Sequence, residues 1–554
     1  MKRYIFIIFA GLLLAASCGK EPVPSNGNGQ VKPASGTISG SVVGNDGKAL
    51  AGVIVSDGLN CVKTSSDGTF SLNSDLENTD YVYVSTPKDY SAPVENGIAV
   101  FWKFLKDLPK GSDGKYRDVK FTLNKNPNPE RFVILFYGDP QPRSSGAGYD
   151  KLAYHALDCC NDMYKDMKEY VDAQGGVKVY GIGLGDIVHR AMDLIPRYKN
   201  GMESAGVVTY SVLGNHDHDP KNTVGDRDAA RTFESHLGPV NYSFDLGDFH
   251  IICLDDMIVT QFNSDGTISD ECATGLTDEI WQWFQNDLAL VPTTTPLMIC
   301  AHSPMFRRSG GKETSGKHLA DVRQLVSRYP KVHHWAGHHH STFNYAGDPV
   351  IESHTVTRVT GELWTNEYIG SNGTPRGYIP FQYDHGEYSW KFKPIIYQTG
   401  SFTGTNGGGG KQPSYEYRDW DYDASGKAVL KSTGKVLDDS YQMQAFAPGT
   451  YGDDYLYVNI FLWDEQWSTP KFTSSATFQT MKRVTDKKYM YAYNTREIRE
   501  FYNTYNTVLA AADYSFSTDN TDSMFRVFVA DLHGSGTVSV NDRFGNTYNY
   551  SISW

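Results

Sequence analysis

The sequence predicts a multidomain protein in which a central α/β domain lies between two β-rich parts. The chain has 554 residues, and a single hydrophobic core seldom exceeds roughly 250–300 residues, so this length requires several domains. Strand-like runs alternate with helical periodicity through the middle of the chain, which is typical of an α/β domain. The two flanking parts show mostly short alternating runs separated by turn residues, which indicates β-structure.

Residues 1–18 are predicted to be a targeting segment. Lys2 and Arg3 precede an apolar run that ends at Ser17-Cys18. The run is shorter than the ~20 residues of a membrane span and fits the core of a signal peptide. Small residues that end at a cysteine resemble a bacterial lipobox, which implies lipidation of Cys18. Ordinary secretion with an incidental cysteine is the alternative.

A tether rich in Gly, Pro, Ser and Asn follows at residues 19–36. We therefore expect an exported protein that is lipid-anchored to a bacterial membrane, on its periplasmic or cell-surface side. Membrane association is expected only through this N-terminal anchor. The six cysteines after Cys18 have spacings that predict neither a disulfide framework nor a zinc site.

Residues 37–124 are predicted to form a β-sandwich. The run from Thr37 to Val43 alternates with period two, and Asn45-Asp-Gly-Lys supplies a hairpin turn. The repeated Asp-Gly turns between short strands resemble the carboxypeptidase-regulatory-like, transthyretin-type β-sandwich. That resemblance implies a module that spaces or presents a neighbouring domain, and we expect no catalytic residue in it.

Residues 128–390 are predicted to form the α/β domain. One helix keeps Ala156, Cys159, Met163 and Met167 on one face. A second helix is predicted to begin after Thr277, whose side chain can cap it, and its inner face is formed by Ile280, Trp283, Phe284 and Leu288.

Residues 391–554 are predicted to form a C-terminal β-rich accessory domain with one helix near residues 495–507. This part is rich in Tyr, Thr, Ser, Gly and Asn. We interpret its aromatic residues as sandwich core and strand faces. A carbohydrate-binding platform is the alternative.

Five polar clusters follow strand-like runs at residues 132–136, 177–184, 207–213, 297–300 and 332–336. The clusters are Asp139-Pro-Gln141, Gly185-Asp186, Gly214-Asn215-His216-Asp217, Ala301-His302 and Gly337-His338-His339-His340. Oxygen and imidazole ligands suit Mn, Fe or Zn, and two carboxylates with several histidines can hold two ions side by side. Because strand ends meet at one edge of an α/β sheet, we expect these residues to share a pocket.

The clusters resemble the motif blocks of the calcineurin-like metallophosphoesterase superfamily, which run D-x-H, G-D, G-N-H-[DE], H and G-H-x-H. Only the first block departs from the pattern, because Gln141 stands where the family usually has His. The resemblance implies an αββα sandwich for the central domain. The β-rich parts on both sides further resemble a bacterial lipoprotein subgroup of that superfamily.

The resemblance implies a centre of two divalent metal ions, Mn, Zn or Fe. Its ligands would be Asp139, Gln141, Asp186, Asn215, His302, His338 and His340. Asp186 would bridge the two ions, since a carboxylate offers two oxygens and a charge that offsets their repulsion. Asp139 and His340 would bind the first ion, and Asn215, His302 and His338 would bind the second. Gln141 would bind the first ion weakly through its amide oxygen, or water would take that position.

The resemblance also implies a mechanism of phosphate-ester hydrolysis in which a hydroxide bridging the metals attacks phosphorus. His216 would hydrogen-bond the phosphate or protonate the leaving group, with Asp217 orienting or charging its ring. His189, His218 and Arg143 are candidate substrate contacts. His189 stands where purple acid phosphatases have a tyrosine, which makes Mn, Zn or ferrous iron more suitable than ferric iron.

The net charge of −13 argues against a nucleic-acid partner, which requires a basic face. We therefore expect a metal-dependent hydrolase that acts on a small phosphate mono- or diester. The alternative is an exported glycan- or ligand-binding lipoprotein on a catalytically weak phosphoesterase scaffold. The substrate and the oligomeric state are left open by the sequence.

Overall fold

The computed structural model describes residues 37–143, 150–221, 225–260, 272–306, 314–361, 370, 372–398, 419–475, 477–486, 521–531 and 533–554. Gly36–Trp554 form one compact unit. The predicted signal peptide, the tether, Cys18 and the helix near residues 495–507 lie outside the described residues. Within the described part, no helix combines the length and the apolar character needed to cross a membrane.

The N-terminal part contains two four-stranded sheets, in agreement with its alternating sequence. The first consists of β1 (Ile38–Gly44), β4 (Thr69–Leu72), β6 (Tyr90–Ser91) and β10 (Tyr116–Lys125), in the order β4-β1-β10-β6. The second consists of β2 (Ile54–Ser56), β3 (Cys61–Lys63), β5 (Tyr81–Val84) and β9 (Trp102–Phe104), in the order β3-β2-β5-β9.

Two short strands of this part, β7 (Val94–Glu95) and β8 (Ile98–Ala99), leave those sheets and join a sheet of the central part. Ile98 pairs in parallel with Thr209. The predicted boundary at residue 124 therefore does not separate the two parts cleanly, because the N-terminal segment supplies an edge of the central sheet.

The central part is built on two sheets that face each other. The first contains β11 (Arg131–Tyr137), β12 (Lys178–Gly183), β13 (Val208–Ser211), β22 (Gly377–Asp384), β23 (Glu387–Trp390) and β24 (Lys393–Pro394), in the order β23-β22-β11-β12-β13-β8-β7 with β24 beside β22. The second contains β14 (Tyr242–Leu246), β15 (Phe249–Cys253), β18 (Leu297–Cys300), β19 (Val332–Ala336), β20 (Phe343–Tyr345) and β21 (Ile351–Thr355), in the order β14-β15-β18-β19-β21-β20. Phe136 stacks on Trp335 between the sheets, with ring centroids 4.1 Å apart.

Five helices and one hairpin accompany these sheets. The helices are α1 (Asp150–Ala173), α2 (Ile195–Ala205), α3 (Asp226–Leu237), α4 (Asp278–Leu288) and α5 (Leu319–Val326), and the hairpin pairs β16 (Met257–Val259) with β17 (Cys272–Thr274). The predicted cap of α4 is confirmed, since the Thr277 side chain accepts a hydrogen bond from the Ile280 amide. Its predicted inner face is buried, as are Cys159, Met163 and Met167 of α1.

In the described residues of the C-terminal part, the regular secondary structure consists of β-strands. A hairpin pairs β25 (Trp420–Tyr422) with β26 (Ala428–Leu430), and one sheet contains β27 (Met443–Phe446), β28 (Tyr455–Ile460), β31 (Lys482–Arg483) and β32 (Met524–Phe528), in the order β27-β28-β32-β31. A second sheet contains β29 (Lys471–Thr473), β30 (Phe478–Thr480), β33 (Ser535–Asn541) and β34 (Thr547–Ser553), in the order β30-β29-β33-β34. Tyr457, Trp467, Phe472 and Tyr548 are buried here, which favours the interpretation of these aromatic residues as core.

A buried ion pair joins α1 to the start of β22. Arg376 Nη2 donates to Asp162 Oδ2 over 2.9 Å, and both side chains are buried. Removing one partner of a buried pair leaves the other charge in the interior, which costs about 3–5 kcal/mol. We therefore expect Arg376→Ala to lower the free energy of unfolding by about 3–5 kcal/mol in urea titrations. Arg117→Ala breaks an exposed pair with Asp113 and should leave the free energy of unfolding almost unchanged, because water screens this pair; equal losses in the two variants would contradict this account.

A buried histidine between two carboxylates predicts that the stability of the fold depends on pH. His250 Nδ1 lies 2.7 Å from Asp245 Oδ1, and its Nε2 lies 2.8 Å from Asp287 Oδ2. Burial alone would lower the pKa of His250, but the two carboxylates raise it from 6.5 to about 10. The protonated ring therefore stabilises the fold fully below pH 6.5, and this contribution is lost as the pH rises through the folded-state pKa.

We therefore expect the wild-type protein to lose more unfolding free energy between pH 6.5 and pH 10 than His250→Gln, which has no ionisable group at this position. Urea titrations of both proteins across that range measure the difference. Two parallel curves of stability against pH would show that His250 is not charged in the folded protein.

Candidate metal centre

The five predicted clusters lie at the carboxyl ends of β11, β12, β13, β18 and β19. The first three strands are parallel neighbours in one sheet, and the last two are parallel neighbours in the facing sheet. Since parallel neighbours end at the same edge, their following loops meet above the sheets. All seven predicted ligands are thereby brought to one pocket, as the distances between their side chains show.

One group of ligand atoms forms around Asp139. Its Oδ1 lies 3.4 Å from His340 Nε2, and Asp139, Asp186 and His340 offer ligand atoms within 4.8 Å of one another. The Gln141 side chain also reaches this group, because its Nε2 contacts Asp186 Oδ2. These four side chains are buried.

A second group forms around His302 and shares Asp186 with the first. His302 Nε2 lies 3.0 Å from Asn215 Oδ1 and 3.3 Å from Asp186 Oδ1. His338 Nδ1 lies 3.2 Å from the same His302 nitrogen. His302 Nδ1 lies 2.8 Å from the Leu184 carbonyl oxygen, and a hydrogen bond donated there leaves the Nε2 lone pair directed at the pocket.

The ligands occupy an unusual backbone conformation. Five of them have positive φ: 55° at Asp139, 41° at Gln141, 52° at Asp186, 65° at His338 and 54° at His340. Non-glycine residues seldom adopt this left-handed region, and each such residue costs on the order of 1–3 kcal/mol. Strain concentrated at these positions indicates that the chain is held for a function rather than for stability.

Two glycines next to the ligands are required for different reasons. Gly185 has a φ of 86°, and a Cβ there would lie 2.4 Å from His302 Nδ1. Gly185 therefore allows a tight turn that another residue would strain. At Gly337, a Cβ would lie 2.5 Å from Asp139 Oδ2, so this glycine is needed for the close approach of two loops.

The electrostatics of the pocket favour a cation. Burial would raise the pKa of Asp186, but His302 and His216 hold it well below its ordinary value. Burial would lower the pKa of His302, but Asp186 raises it to about 10. Burial lowers the pKa of His338 to about 3, which leaves a neutral imidazole with a lone pair. His302 is therefore protonated while no ion is bound, and a metal ion would displace that proton. The ionised carboxylate and the neutral His338 ring are donors that Mn, Zn and ferrous iron accept.

His216 lies beside the ligands and is partly exposed. Its amide donates to Asp186 Oδ1 over 2.9 Å, and its ring packs on His189 with centroids 3.9 Å apart. Arg143 contacts His189 Nε2. Burial is the main cause that lowers the pKa of His189, and the nearby charges of His216 and Arg143 lower it further. The His189 ring is therefore neutral and can accept a hydrogen bond from the Arg143 guanidinium. These three side chains form a wall of the pocket.

Two further predicted site residues, Asp217 and His218, have side chains that contact other protein groups. The Asp217 carboxylate accepts hydrogen bonds from the amides of Ile187, Val188 and Gly214, so it fixes the loops rather than orienting the His216 ring. His218 is 1% exposed and packs against Asn215 O and Asp226. The predicted contact between His218 and a substrate is not tested by this geometry and stays a prediction.

Several supporting residues carry no signal in the sequence. Arg358 Nε donates to the Asp139 carbonyl over 2.8 Å, and the Thr360 hydroxyl contacts the same oxygen at 3.3 Å. Asp256 Oδ1 accepts from the His302 amide over 3.0 Å. These side chains hold the backbone of ligands far away in sequence, and no local motif marks them.

A separate group of potential ligands, His333, Glu352 and His354, is buried between β19 and β21. Glu352 Oε2 accepts from Arg543 Nη1 over 2.6 Å, and Lys331 contacts Oε1. Two side-chain cations already neutralise this carboxylate, so a divalent ion would add an uncompensated buried charge. We interpret the group as an ion-paired part of the interior.

The two sheets place side chains of metal-ligand type together at their strand ends, and comparison with known families gives the class of this domain. Residues 132–342 match the model of the calcineurin-like phosphoesterase family. Residues 36–126 match the model described as the N-terminal part of calcineurin-like phosphoesterases. The chain therefore carries a calcineurin-like phosphoesterase domain preceded by the extension domain of that family.

Comparison with curated proteins gave no match. Similar solved structures include a dimetal phosphatase from Danio rerio, with 15% identity over 48% of this chain and 96% of that chain, at a TM-score of 0.35. A purple acid phosphatase from yellow lupin has 14% identity, coverage of 48% and 52%, and a TM-score of 0.32. A 5′-nucleotidase from Candida albicans has 12% identity, the same coverage, and a TM-score of 0.28. The aligned region thus spans about half of the latter two chains, and the family assignment rests on the family models.

Proposed function

We propose that this protein is a metal-dependent hydrolase of phosphate mono- or diesters. The observation that carries the proposal is the position of Asp186, whose two oxygens belong to both groups of ligand atoms. Asp186 Oδ1 faces His302, and Oδ2 faces Gln141, on the side of Asp139 and His340. A carboxylate shared in this way is suited to bridge two cations.

Two divalent ions, Mn, Zn or ferrous iron, would be held by the two groups. Asp139, Asp186, His340 and Gln141 form the first group, and Asp186, Asn215, His302 and His338 form the second. Gln141 Nε2 faces Asp186 Oδ2, and a rotated amide would direct Oε1 at the first ion. When bound, such ions lower the pKa of water toward 7 and neutralise phosphate charge.

The remaining pocket residues have roles that follow from their positions. Arg143 is half-buried beside His189, and a guanidinium can bind two phosphate oxygens with two parallel hydrogen bonds. His216 is partly exposed beside Asp186 and can transfer a proton to the leaving oxygen. His189 packs on the His216 ring and limits its movement. His189 also replaces the tyrosine of purple acid phosphatases, which supports Mn, Zn or ferrous iron.

Metal removal tests this proposal. Protein treated with a strong chelator and dialysed should lose hydrolysis of p-nitrophenyl phosphate and of its bis-ester, because the charge stabilisation in the pocket depends on the ions. Addition of Mn²⁺ or Zn²⁺ should restore the activity, and Mg²⁺ should restore less because imidazole ligands do not suit it. Undiminished activity in the chelated protein would contradict the proposal. Absence of activity together with less than one bound equivalent of metal would favour the binding-protein alternative.

We further propose that the protein is exported and lipid-anchored through Cys18. The support is the basic, apolar and Ser-Cys order of residues 1–18 and the polar tether that follows. In a bacterial host, Cys18→Ala should move the protein from the membrane fraction to the soluble exported fraction. Membrane retention of that variant would refute the lipid anchor and leave the hydrolase proposal intact.

We also propose a domain type for each of the two flanking parts. The two four-stranded N-terminal sheets support a β-sandwich of the carboxypeptidase-regulatory type. The two C-terminal sheets with buried aromatic residues support a β-rich accessory domain. Together with the N-terminal segment, they support membership of the bacterial lipoprotein subgroup.

A further inference from the structure

The loop that carries two predicted ligands continues directly into contact with another turn. Thr342, two residues after His340, uses its carbonyl oxygen to accept a hydrogen bond from Asn372 Nδ2 over 2.9 Å. Asn372 is 1% exposed. Gly370 lies against the ligand itself, because a Cβ there would be 2.5 Å from the His340 carbonyl oxygen. The backbone at His340, in the loop between β19 and β20, is therefore packed against this turn.

The turn is closed by its own hydrogen bonds. The Gly370 amide donates to Thr374 O over 2.8 Å, and the Gly373 amide donates to Gly370 O over 3.0 Å. The Thr374 amide donates to Asn372 Oδ1 over 3.3 Å. The side-chain nitrogen of Asn372 thus links the turn to the loop that carries His340, and its side-chain oxygen stabilises the turn itself.

The C-terminal part holds the far side of the same turn. Asn459 on β28 donates from Nδ2 to the Asn372 carbonyl over 3.2 Å. Its Oδ1 accepts from the hydroxyls of Thr521, over 3.0 Å, and Ser523, over 3.2 Å. Asn459 is 1% exposed and Thr521 is fully buried. In an interior where unpaired polar atoms are costly, this network fixes the orientation of the Asn459 amide.

A second contact joins the C-terminal part to the strands after His340. Arg543 lies between two carboxylates: Nη1 donates to Glu352 on β21 and Nη2 donates to Asp464, each over 2.6 Å. Glu465 Oε2 accepts from the Ala346 amide over 2.9 Å. The β20–β21 segment is therefore held from the C-terminal side as well.

We propose that the C-terminal β-rich part is a structural component of the metal centre, in which Asn459 acts through Asn372 as a positioning residue for the ligand His340. This inference rests on the proposed metal centre. His340 is held at a φ of 54°, a conformation that persists only when its surroundings enforce it. Residues that orient metal ligands from behind typically change metal affinity by about 10–100-fold when they are replaced.

The test is the affinity for each of the two ions, measured by Zn²⁺ titration against a competing chelator. Asn459→Ala removes the donor to Asn372. Because Asn459 acts through Asn372 and not on the ligand itself, we expect one of the two Zn²⁺ ions to bind about 10-fold more weakly, at the low end of the range for direct partners of metal ligands, with the other ion unchanged. The matched control is Asn549→Ala, on the exposed side of β34, which should bind both ions as the wild type does. Selective loss of one ion separates positioning from general destabilisation, which would weaken both.

A milder variant keeps the test decisive if Asn459→Ala does not fold. Thr521→Ala retains Asn459 but removes one of the two hydroxyls that orient it, so the same ion should bind more weakly, by a smaller factor. Wild-type affinity for both ions in a folded variant of either kind would overturn the inference. A wild-type protein that binds no Zn²⁺ would contradict the proposed function and, with it, the positioning role. If the wild type binds two ions but hydrolyses no phosphate ester, only the hydrolase proposal fails, and the comparison of ion affinities still decides the positioning role.

Discussion

Asp186→Asn is expected to reduce hydrolysis of phosphate esters by about 10³-fold or more, since removal of one preorganised charge-stabilising group alone costs about 10²–10³-fold. The substitution keeps the size of the side chain and removes its charge. Both groups of ligand atoms contain this carboxylate, at 3.3 Å from His302 Nε2 on one side and in contact with Gln141 on the other. Loss of this one negative charge should therefore weaken the binding of both metal ions at once.

Two measurements accompany that result. The metal content of purified Asp186→Asn should fall toward zero, and steady-state kinetics should show the loss mainly in kcat. The control Asp193→Asn makes the same chemical change at an exposed position seven residues further along the chain, and it should retain wild-type activity. If Asp186→Asn retained full activity and both ions, the assignment of the centre would be wrong.

His216→Ala should reduce kcat by about 10²–10⁴-fold for alkyl phosphates, the range that general acid catalysis supplies. The loss should be much smaller for p-nitrophenyl phosphate, because nitrophenolate leaves without protonation. Metal content should be unchanged, since the His216 contact to the ligand Asp186 is made by its backbone amide. His385→Ala, at an exposed ring, is the control with no expected effect. Equal losses for both leaving groups would exclude the general-acid role.

The sequence predicted that the seven proposed ligands lie together, because each follows a buried strand and the ends of parallel strands must meet; their role as ligands stays a prediction. That logic depends only on local pattern and on sheet geometry. It also predicted the cap and inner face of α4, where periodicity and a capping threonine act within a few residues. The family model over residues 132–342 agrees with the resemblance drawn from those clusters.

The sequence did not predict how the centre is supported. Asp217 follows His216, yet its carboxylate turns to three backbone amides, a choice set by the fold of the loop rather than by residue type. Arg358 and Asn459 act on ligands that lie more than a hundred residues away along the chain. Likewise, β8 joins the central sheet through a single pairing that no alternation pattern distinguishes. Such contacts depend on tertiary packing, which a one-dimensional pattern does not contain.

The most direct measurement is anomalous X-ray diffraction from crystals grown with Zn²⁺. The account predicts two anomalous peaks about 3.5–4 Å apart, the spacing of two-metal hydrolytic centres. The Asp186 carboxylate should lie between them, with Asp139 and His340 beside one peak and Asn215, His302 and His338 beside the other. A single peak, or no peak at Asp186, would contradict the shared-carboxylate centre on which the proposed function depends.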